Sequence, residues 1–301
     1  MFELKNPRIA IPIVLIAGLF WSFGPYVVRH IDNASSVPWQ YLWTRGIVIF
    51  LLLNFFLFIE EGKEFYKNYF KIGLSGLIGG TGLGLAMTTF IWSITTTSAA
   101  ITLLCLAAMP FITALLGFLF LKEKISLSVL ISIFIAAIGL SIMAFGDQPK
   151  GSLLGLIFGL ISAIGFAIFS VSLRWRKETP KFTTVALAGL ICFLFSSFMI
   201  ISNDFSFLSS GKNEALFATH GTLVCVGLIL YSIGSKNIPA AELTLLSLTE
   251  VIGGIFWVWV PWLGINEIPS TNTIIGGFFI FIAIFYYSLI IQTNKRFIGL
   301  N

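Results

Sequence analysis

The sequence predicts an all-α integral membrane protein, with ten transmembrane helices arranged as two inverted five-helix repeats and with both termini in the cytoplasm. Three observations predict this fold: an apolar composition, ten apolar runs of membrane-spanning length, and an alternation of basic residues between successive loops. Of the 301 residues, 57% are hydrophobic and 10% are charged. Soluble domains contain about 25% charged residues, so lipid is the expected solvent for most of the surface.

The ten predicted spans follow one another with short polar connections. Each has roughly the 20 apolar residues that a helix needs to cross the hydrocarbon core. The first run lacks a small-residue cleavage pattern, so it is interpreted as a retained helix rather than a signal peptide. The connections are too short for a soluble catalytic domain. The predicted spans are Ile9–Arg29, Pro38–Ile59, Phe70–Ile94, Ser98–Leu121, Ser126–Phe145, Gly151–Leu173, Phe182–Ile201, Ala215–Gly234, Ile238–Trp262 and Thr271–Ile291.

Lysine and arginine residues predict the orientation of the spans, because such residues are retained on the cytoplasmic side. With the N-terminus inside, fourteen of the 18 basic residues fall in inner segments, three fall in outer segments, and Arg45 lies within span 2. A missed or invented helix would invert this alternation partway along the chain. The net charge of +5 has the same origin. The sequence has no basic patch interleaved with aromatic residues, so nucleic acid is not predicted as a partner.

The two halves of the chain resemble each other when the sequence is shifted by 141 residues. This shift aligns "GLFWSFG" at Gly18–Gly24 with "GLISAIG" at Gly159–Gly165. After an insertion of three residues, Glu123 of "EKIS" aligns with Glu267 of "EIPS". Because each half holds five spans, the second half enters the membrane from the opposite side and forms an inverted pair with the first. The predicted repeats are residues 1–147 and 148–301.

Two segments resemble the EamA-like members of the drug/metabolite transporter superfamily. They are "TTTSAAITLLCLAAMPFITALLGFLFLKEKIS" in the first half and "IPAAELTLLSLTEVIGGIFWVWV" followed by "NEIPS" in the second, each after a glycine-rich helix. The resemblance covers about residues 9–291. It implies a ten-helix fold, a central pathway lined mainly by helices 1, 3, 4, 6, 8 and 9, and alternating access. Many relatives have proline directly after the second-repeat glutamate, where this chain has Val251.

Glu242 and Glu250 are carboxylates within the apolar run of span 9. Eight residues correspond to about 12 Å of rise and about 80° of rotation, so both can face one cavity at different depths. A carboxylate near the membrane centre costs roughly 3 kcal/mol to insert, which makes Glu250 a candidate for binding substrate or exchanging a proton. The alternative is a buried hydrogen bond between helices. For Glu242, gating and a structural role at the positive end of the helix dipole remain equally open.

Three further residues are predicted to bind substrate beside Glu250. Trp21 and Ser22 lie near mid-depth on span 1, and Trp257 follows Glu250 by about two helical turns. The face of a tryptophan beside a carboxylate can hold a cationic or zwitterionic group. For any single aromatic residue in a span, the alternative interpretation is a lipid-facing side chain.

Arg45 is the other charged residue within a span. Because its stem is long, we expect the guanidinium to extend toward the outer interface. There it would lie between Trp39, Tyr41 and Trp43, which resemble an aromatic belt. We therefore favour a structural role for Arg45, and substrate binding is the alternative. An ion pair with Glu250 remains open.

Glycine and proline predict the moving parts. Pro110 interrupts the hydrogen-bond ladder in the middle of span 4 and is a predicted hinge. Gly76, Gly80 and Gly84 recur every four residues on span 3 and predict a stripe where a neighbouring helix approaches closely. Pro110, Glu242 and Gly80 are thus the predicted gating or hinge residues.

Few residues are available for a metal or a catalytic triad. The three cysteines are dispersed in apolar spans, and the two histidines, His30 and His220, are predicted near span ends. No cofactor is therefore predicted. Coupling of transport to protons remains open.

These observations predict a secondary active transporter for a small metabolite, an amino acid or a similar zwitterionic or cationic compound. The alternative is an integral-membrane enzyme acting on a lipid or small hydrophobic substrate, which would need a cluster of polar groups at one membrane face. A channel is disfavoured, because no ring of like charges lines a pore. The expected location is the bacterial inner membrane. The expected partners are the substrate and the lipid bilayer, without nucleic acid, and the chain is expected to be a monomer or homodimer.

Overall fold

The computed structural model describes residues 7–144, 153–176 and 178–298, and it is all-helical over these ranges. Helices suit a chain in lipid, because every backbone hydrogen bond closes within its own segment. The predicted boundary between the repeats, 147/148, lies outside the described residues. The α-helices are α1 (Pro7–Arg29), α2 (Pro38–Glu61), α3 (Lys67–Phe70), α4 (Gly73–Thr96), α5 (Ala99–Leu106), α6 (Met109–Leu116), α7 (Leu127–Ala144), α8 (Leu153–Trp175), α9 (Lys181–Ser202), α10 (Gly211–Gly234), α11 (Ala240–Ser247), α12 (Thr249–Trp259) and α13 (Thr271–Ile298).

Eight segments are long and apolar enough to cross a membrane. Six of them correspond to single α-helices, and the other two are the pairs α5–α6 and α11–α12. The described apolar parts of α7 and α13, Leu127–Gly139 and Thr271–Tyr287, are shorter. The all-α membrane class is thus confirmed, whereas the count of ten spans and the cytoplasmic position of the termini stay predictions.

Two of the membrane-crossing segments are broken near their middle. The first break, between α5 and α6, falls at Ala107 and Ala108, and the second, between α11 and α12, falls at Leu248. Ala107 and Leu248 are 141 residues apart, and their ψ angles are −10° and −8°. Pro110, which lacks an N–H group, follows the first break. Val251 holds the aligned position after the second break, so that break forms without proline.

Helices of the two halves pack against each other around a common centre. Helix α1 contacts α10 and the α11–α12 pair, and α8 contacts α4 and the α5–α6 pair. Helix α2 packs against α9, and α7 packs against α13. The contact of α4 with α8 is close, because a Cβ atom on Gly165 would lie 2.6 Å from the carbonyl oxygen of Gly82. Small residues at such contacts let helix backbones approach where lipid supplies no hydrophobic drive.

Large apolar side chains point away from this centre. Phe55 on α2, Phe134 on α7 and Phe198 on α9 are 62%, 66% and 63% exposed. A soluble protein would seldom leave so many large apolar side chains in water. In a bilayer the same side chains contact lipid, as the composition predicts.

Candidate functional site

A cavity of about 60 Å³ lies at the centre of the helices. It has room for a few water molecules or one small polar group. The lining residues come from the six spans that the resemblance assigns to the pathway, and also from α2. Most of the lining is apolar. The polar or amphipathic lining residues are Trp21, Arg45, Ser162, His220 and Glu250.

Arg45 enters this cavity from α2 and is only 4% exposed. Its guanidinium carbon lies 6.0 Å from the centre of the Phe90 ring. The Nε and Nη1 atoms are buried and have no hydrogen-bond partner among the described residues. Tyr41 and Ile49, one turn before and after Arg45, are fully buried, so this face of α2 points into the protein. The predicted extension of Arg45 toward the outer interface is therefore wrong.

Glu250 lines the same cavity from the first turn of α12 and is 8% exposed. Within the described ranges, neither Glu250 nor Arg45 takes part in an ion pair at salt-bridge distance. The two charged side chains thus share one small apolar chamber without neutralising each other directly. The chamber thus carries one basic and one acidic side chain, which are complementary to a ligand with both a negative and a positive group.

Trp21 also lines the cavity, as its assignment to the substrate site requires. Its indole Nε1 donates a hydrogen bond of 3.3 Å to the carbonyl oxygen of Val224. The ring meets Phe166 edge-on, with a centroid distance of 5.4 Å and an interplanar angle of 82°. Gly227 makes room for the indole, because a Cβ atom there would lie 2.2 Å from Nε1. The orientation of Trp21 is therefore fixed by its neighbours.

His220 is a cavity residue that the sequence analysis missed. It was predicted near a span end, but α10 begins at Gly211, so His220 lies more than two turns inside the helix and is 1% exposed. Its Nδ1 atom forms a hydrogen bond with the Tyr41 hydroxyl. Gly24 on α1 leaves space for the imidazole, since a Cβ atom there would lie 2.9 Å from Nε2. The aligned Gly24 was the sequence signal available for this packing.

Ser22 and Trp257 contact each other outside the lining of the central cavity. The Trp257 indole donates a 2.9 Å hydrogen bond to the Ser22 hydroxyl, which in turn donates to the carbonyl oxygen of Leu19. Trp257 also stacks on Phe23 at a centroid distance of 4.6 Å. These contacts join α1 to α12. In this conformation the structure brings only Glu250 and Trp21, of the four predicted substrate residues, to the cavity.

The predicted gating residues lie in two other places. Glu242, in the first turn of α11, accepts a hydrogen bond from the Tyr287 hydroxyl on α13. Gly80 faces α9, where a Cβ atom would lie 2.9 Å from a methyl group of Leu187. The close approach predicted for the glycine stripe is therefore present between α4 and α9. The assignments of Gly80, Glu242 and Pro110 to a hinge or gate stay predictions.

A charged cluster closes one end of the helices. Arg29, at the end of α1, forms a salt bridge through Nε with Glu267. Its Nη1 and Nη2 atoms donate to the carbonyl oxygens of Ile94 and Thr97, at 3.0 and 3.3 Å. We call Arg29, Glu267 and these two carbonyls the Glu267 cluster. It ties α1 and the end of α4 to the segment that follows α12.

A second cluster closes the other end. Arg174, near the end of α8, donates through Nε to Glu123 at 2.6 Å. Its Nη1 atom donates to the carbonyl oxygens of Ser235 and Ile238, at 3.0 and 2.8 Å. The other carboxylate oxygen of Glu123 accepts from the backbone N–H of Ala240, at 3.2 Å. We call this group the Glu123 cluster. The two glutamates align between the halves of the sequence, whereas both arginines were interpreted only as topology signals.

Comparisons with known proteins agree with this architecture. Residues 8–145 match the model of the EamA-like transporter family. The first half of the chain is thus similar to EamA-like transporters, in agreement with the resemblance that the sequence predicts. No group of three or more His, Cys, Asp or Glu side chains that could hold a metal ion occurs within residues 7–144, 153–176 and 178–298.

Curated relatives extend the similarity over both halves. A protein of Helicobacter pylori strain J99 named "Uncharacterized transporter" is 26% identical over 259 residues, which cover 82% of this chain and 84% of the relative. "Uncharacterized transporter YojE" of Bacillus subtilis is 25% identical and covers 77% of this chain and 78% of its own. A solved crystal structure with a TM-score of 0.74 and 17% identity covers 95% of this chain and 98% of its own, which shows a shared fold. The eight apolar segments make the chain a multi-pass membrane protein, and these relatives come from bacteria, which agrees with the expected inner-membrane location.

Proposed function

We propose that this protein is a secondary active transporter that moves a small zwitterionic metabolite, an amino acid or a close analogue, across the inner membrane. One observation carries the proposal: Arg45, with two buried and unpartnered N–H-bearing atoms, lines the same small cavity as Glu250. A ligand carboxylate fits the guanidinium, and a ligand ammonium group fits Glu250 and the nearby face of Trp21.

The energetic cost of the two charges supports a functional role. A buried guanidinium with unmade hydrogen bonds destabilises the protein, because its lost hydration is not replaced. A structural arginine would be expected to find carbonyl or carboxylate partners, as Arg29 and Arg174 do. Arg45 lacks them within the described residues, so the missing acceptor is supplied by the transported ligand.

The two end clusters support transport by alternating access. Ile94 in the Glu267 cluster aligns with Ser235 in the Glu123 cluster at a shift of 141 residues. Thr97 aligns with Ile238 at the same shift. The two glutamates align after the three-residue insertion, and both arginines lie near the C-terminal ends of their helices, α1 and α8. Related groups thus lie at opposite ends of the helices, which fits two inverted repeats that open in turn.

The proposal is tested with ligands that carry one charge each. We expect wild-type protein to bind an amino acid tightly, and Arg45→Gln to bind it roughly 100-fold more weakly, because a charge-assisted bidentate contact is lost. In Arg45→Gln the amino acid and its decarboxylated amine should bind equally. In Glu250→Gln the amino acid and its deaminated acid should bind equally.

Binding is measured by thermal shift across a panel of amino acids, and transport by uptake of the labelled hit into liposomes. Glu64→Gln is the control, because Glu64 pairs with Lys67 on the exposed surface. Unchanged ligand preference in both cavity variants would refute the assignment. Recovery of chemically altered substrate from the liposomes would instead favour the enzyme alternative.

A further inference from the structure

A second cavity, of about 590 Å³, lies at the end of the helices that the basic residues assign to the cytoplasm. The ends of α2, α8 and α10, together with α3 and the start of α9, form its walls. It shares no lining residue with the central cavity. The cationic lining residues are Lys71, Arg174, Lys181 and Lys236, and the acidic ones are Glu61 and Glu178.

Helix α9 begins at this cavity without a side-chain cap. Its N-cap residue is Pro180, which has no side-chain acceptor, and no hydrogen bond from the first-turn N–H groups to a side chain occurs within the described residues. The backbone N–H groups of Lys181, Phe182 and Thr183 precede the first intrahelical bond, which Thr184 donates to the Pro180 carbonyl at 2.9 Å. All three residues line the cavity. The uncapped start of a 22-residue helix presents N–H groups and a partial positive charge to an anion.

Two side chains in this first turn also lack anionic partners. Thr183 is one of the lining residues, and its buried hydroxyl has no hydrogen-bond partner among the described residues. Lys181 donates to the Ser235 hydroxyl at 2.9 Å. No described carboxylate lies within salt-bridge distance of Lys181 or of Lys236.

The remaining charges of the lining leave this positive field in place. The charge of Arg174 is neutralised by Glu123. Glu61 accepts from the side chain of Asn68, and Glu178 is exposed. Like charges held close together repel each other, so Lys181 and Lys236 would be stabilised by an anion between them.

We propose that this cavity binds a phosphate-bearing anion at the first turn of α9. A phosphate group offers several strong acceptor oxygens, which match the backbone N–H groups, the Thr183 hydroxyl and the ammonium groups of Lys181 and Lys236. The phosphate belongs either to the headgroup of an anionic phospholipid in the cytoplasmic leaflet or to a soluble phosphate compound. Both sources present the same chemistry to the cavity.

The first experiment titrates inorganic phosphate into purified protein in a neutral detergent, with thermal unfolding as the measurement and chloride at equal ionic strength as the reference. We expect a saturable rise in melting temperature. The apparent Kd for phosphate should be about fivefold larger in Lys236→Gln, because one lysine near a phosphate contributes about 1 kcal/mol of binding free energy. Lys63→Gln is the matched control, because Lys63 is exposed and lies outside the cavity lining.

Thr183→Val separates binding from a structural role. Removal of an unpartnered buried hydroxyl should raise the melting temperature without phosphate, because no hydrogen bond is lost. The same variant should respond less to phosphate than wild type. A variant that loses stability without phosphate and keeps the full response would contradict the proposed site.

The second experiment distinguishes the two sources. Dihexanoyl phosphatidylglycerol is compared with dihexanoyl glycerol, which has the same chains and no phosphate. Stabilisation by the phospholipid alone identifies a lipid headgroup, and stabilisation by inorganic phosphate identifies a soluble ligand. If neither inorganic phosphate nor dihexanoyl phosphatidylglycerol raises the melting temperature of wild type more than that of Lys236→Gln, the proposal is overturned. Both experiments measure binding, so their outcome does not depend on the transport proposal.

Discussion

At the scale of single residues, glycines determine where the large cavity side chains lie. Gly227 on α10 leaves space for the Trp21 indole, and Gly24 on α1 leaves space for the His220 imidazole. In both pairs the glycine and the large side chain come from different helices. The shape of the cavity therefore depends on these two glycines as much as on the side chains that line it.

Gly227→Ala should displace Trp21 from its hydrogen bond with Val224. The added Cβ atom would lie 2.2 Å from Nε1, so the variant should lose about 1–3 kcal/mol of stability through overpacking. Trp21→Phe should relieve part of this loss in the double variant, since its ring lacks the colliding nitrogen. Thermal unfolding of all four proteins measures the coupling. Gly277→Ala is the control, because its Cβ atom meets nothing within 4 Å; additive effects of Gly227→Ala and Trp21→Phe would contradict the packing argument.

The sequence could identify some of these residues and not others, for physical reasons. Glu250 was found because a carboxylate in an apolar span is costly wherever its side chain points. His220 was missed because the edge of span 8 was placed at Ala215, four residues after the helix begins. The direction of Arg45 could not be predicted, because its flexible stem reaches either the interface or the centre. Only the packing of α2 decides between them.

At the scale of elements, the broken helices differ in what the sequence reveals. The interruption between α5 and α6 was predicted from Pro110, whose missing N–H group weakens the ladder. The break at Leu248 has no proline at the aligned Val251 and was not predicted. Beside this break, the Thr249 hydroxyl contacts the Leu15 carbonyl oxygen of α1 at 3.3 Å and the Leu246 carbonyl oxygen at 3.2 Å. Such contacts between distant segments are not visible in local sequence.

Pro110→Ala should slow transport while leaving ligand affinity nearly unchanged. Pro110 lies in the first turn of α6. Alanine restores an N–H group there, which can complete the helical hydrogen bonds across Ala107 and Ala108, so the break should stiffen. If the conformational step limits turnover, the uptake rate falls several-fold and the thermal shift with ligand stays the same. Pro261→Ala is a suitable control, because Pro261 begins a short turn after α12. Equal uptake rates at equal expression would mean that Pro110 only fits the packing.

At the scale of the whole molecule, the two end clusters have the same composition, and each contains groups from both halves of the chain. Each joins an arginine at a helix end to a glutamate and to two backbone carbonyls. The alternation of basic residues assigns the Glu123 cluster to the cytoplasmic end and the Glu267 cluster to the outer end. Composition and apolar runs were enough to predict the all-α membrane class. The two clusters could not be recognised from sequence, because each combines segments that only the folded helices bring together.

Substitution of the two glutamates is the sharpest test of the predicted inverted symmetry, because the two variants should have opposite effects. Glu267→Gln weakens the outer cluster and should favour the outward-open state, whereas Glu123→Gln should favour the inward-open state. For partly exposed ion pairs the shift is about 1 kcal/mol, or roughly fivefold in population. The reporter is Met109→Cys, at the central cavity, in a variant without Cys105, Cys192 and Cys225.

Labelling of Met109→Cys by an impermeant thiol reagent, applied outside right-side-out vesicles, measures outward opening. We expect Glu267→Gln to label faster than the parent and Glu123→Gln to label more slowly, with the order reversed in inside-out vesicles. An inverted orientation of the chain would exchange the two variants but keep their effects opposite, because each cluster ties one end only. Labelling that changes in the same direction in both variants would mean that the clusters hold the fold together rather than alternate as gates.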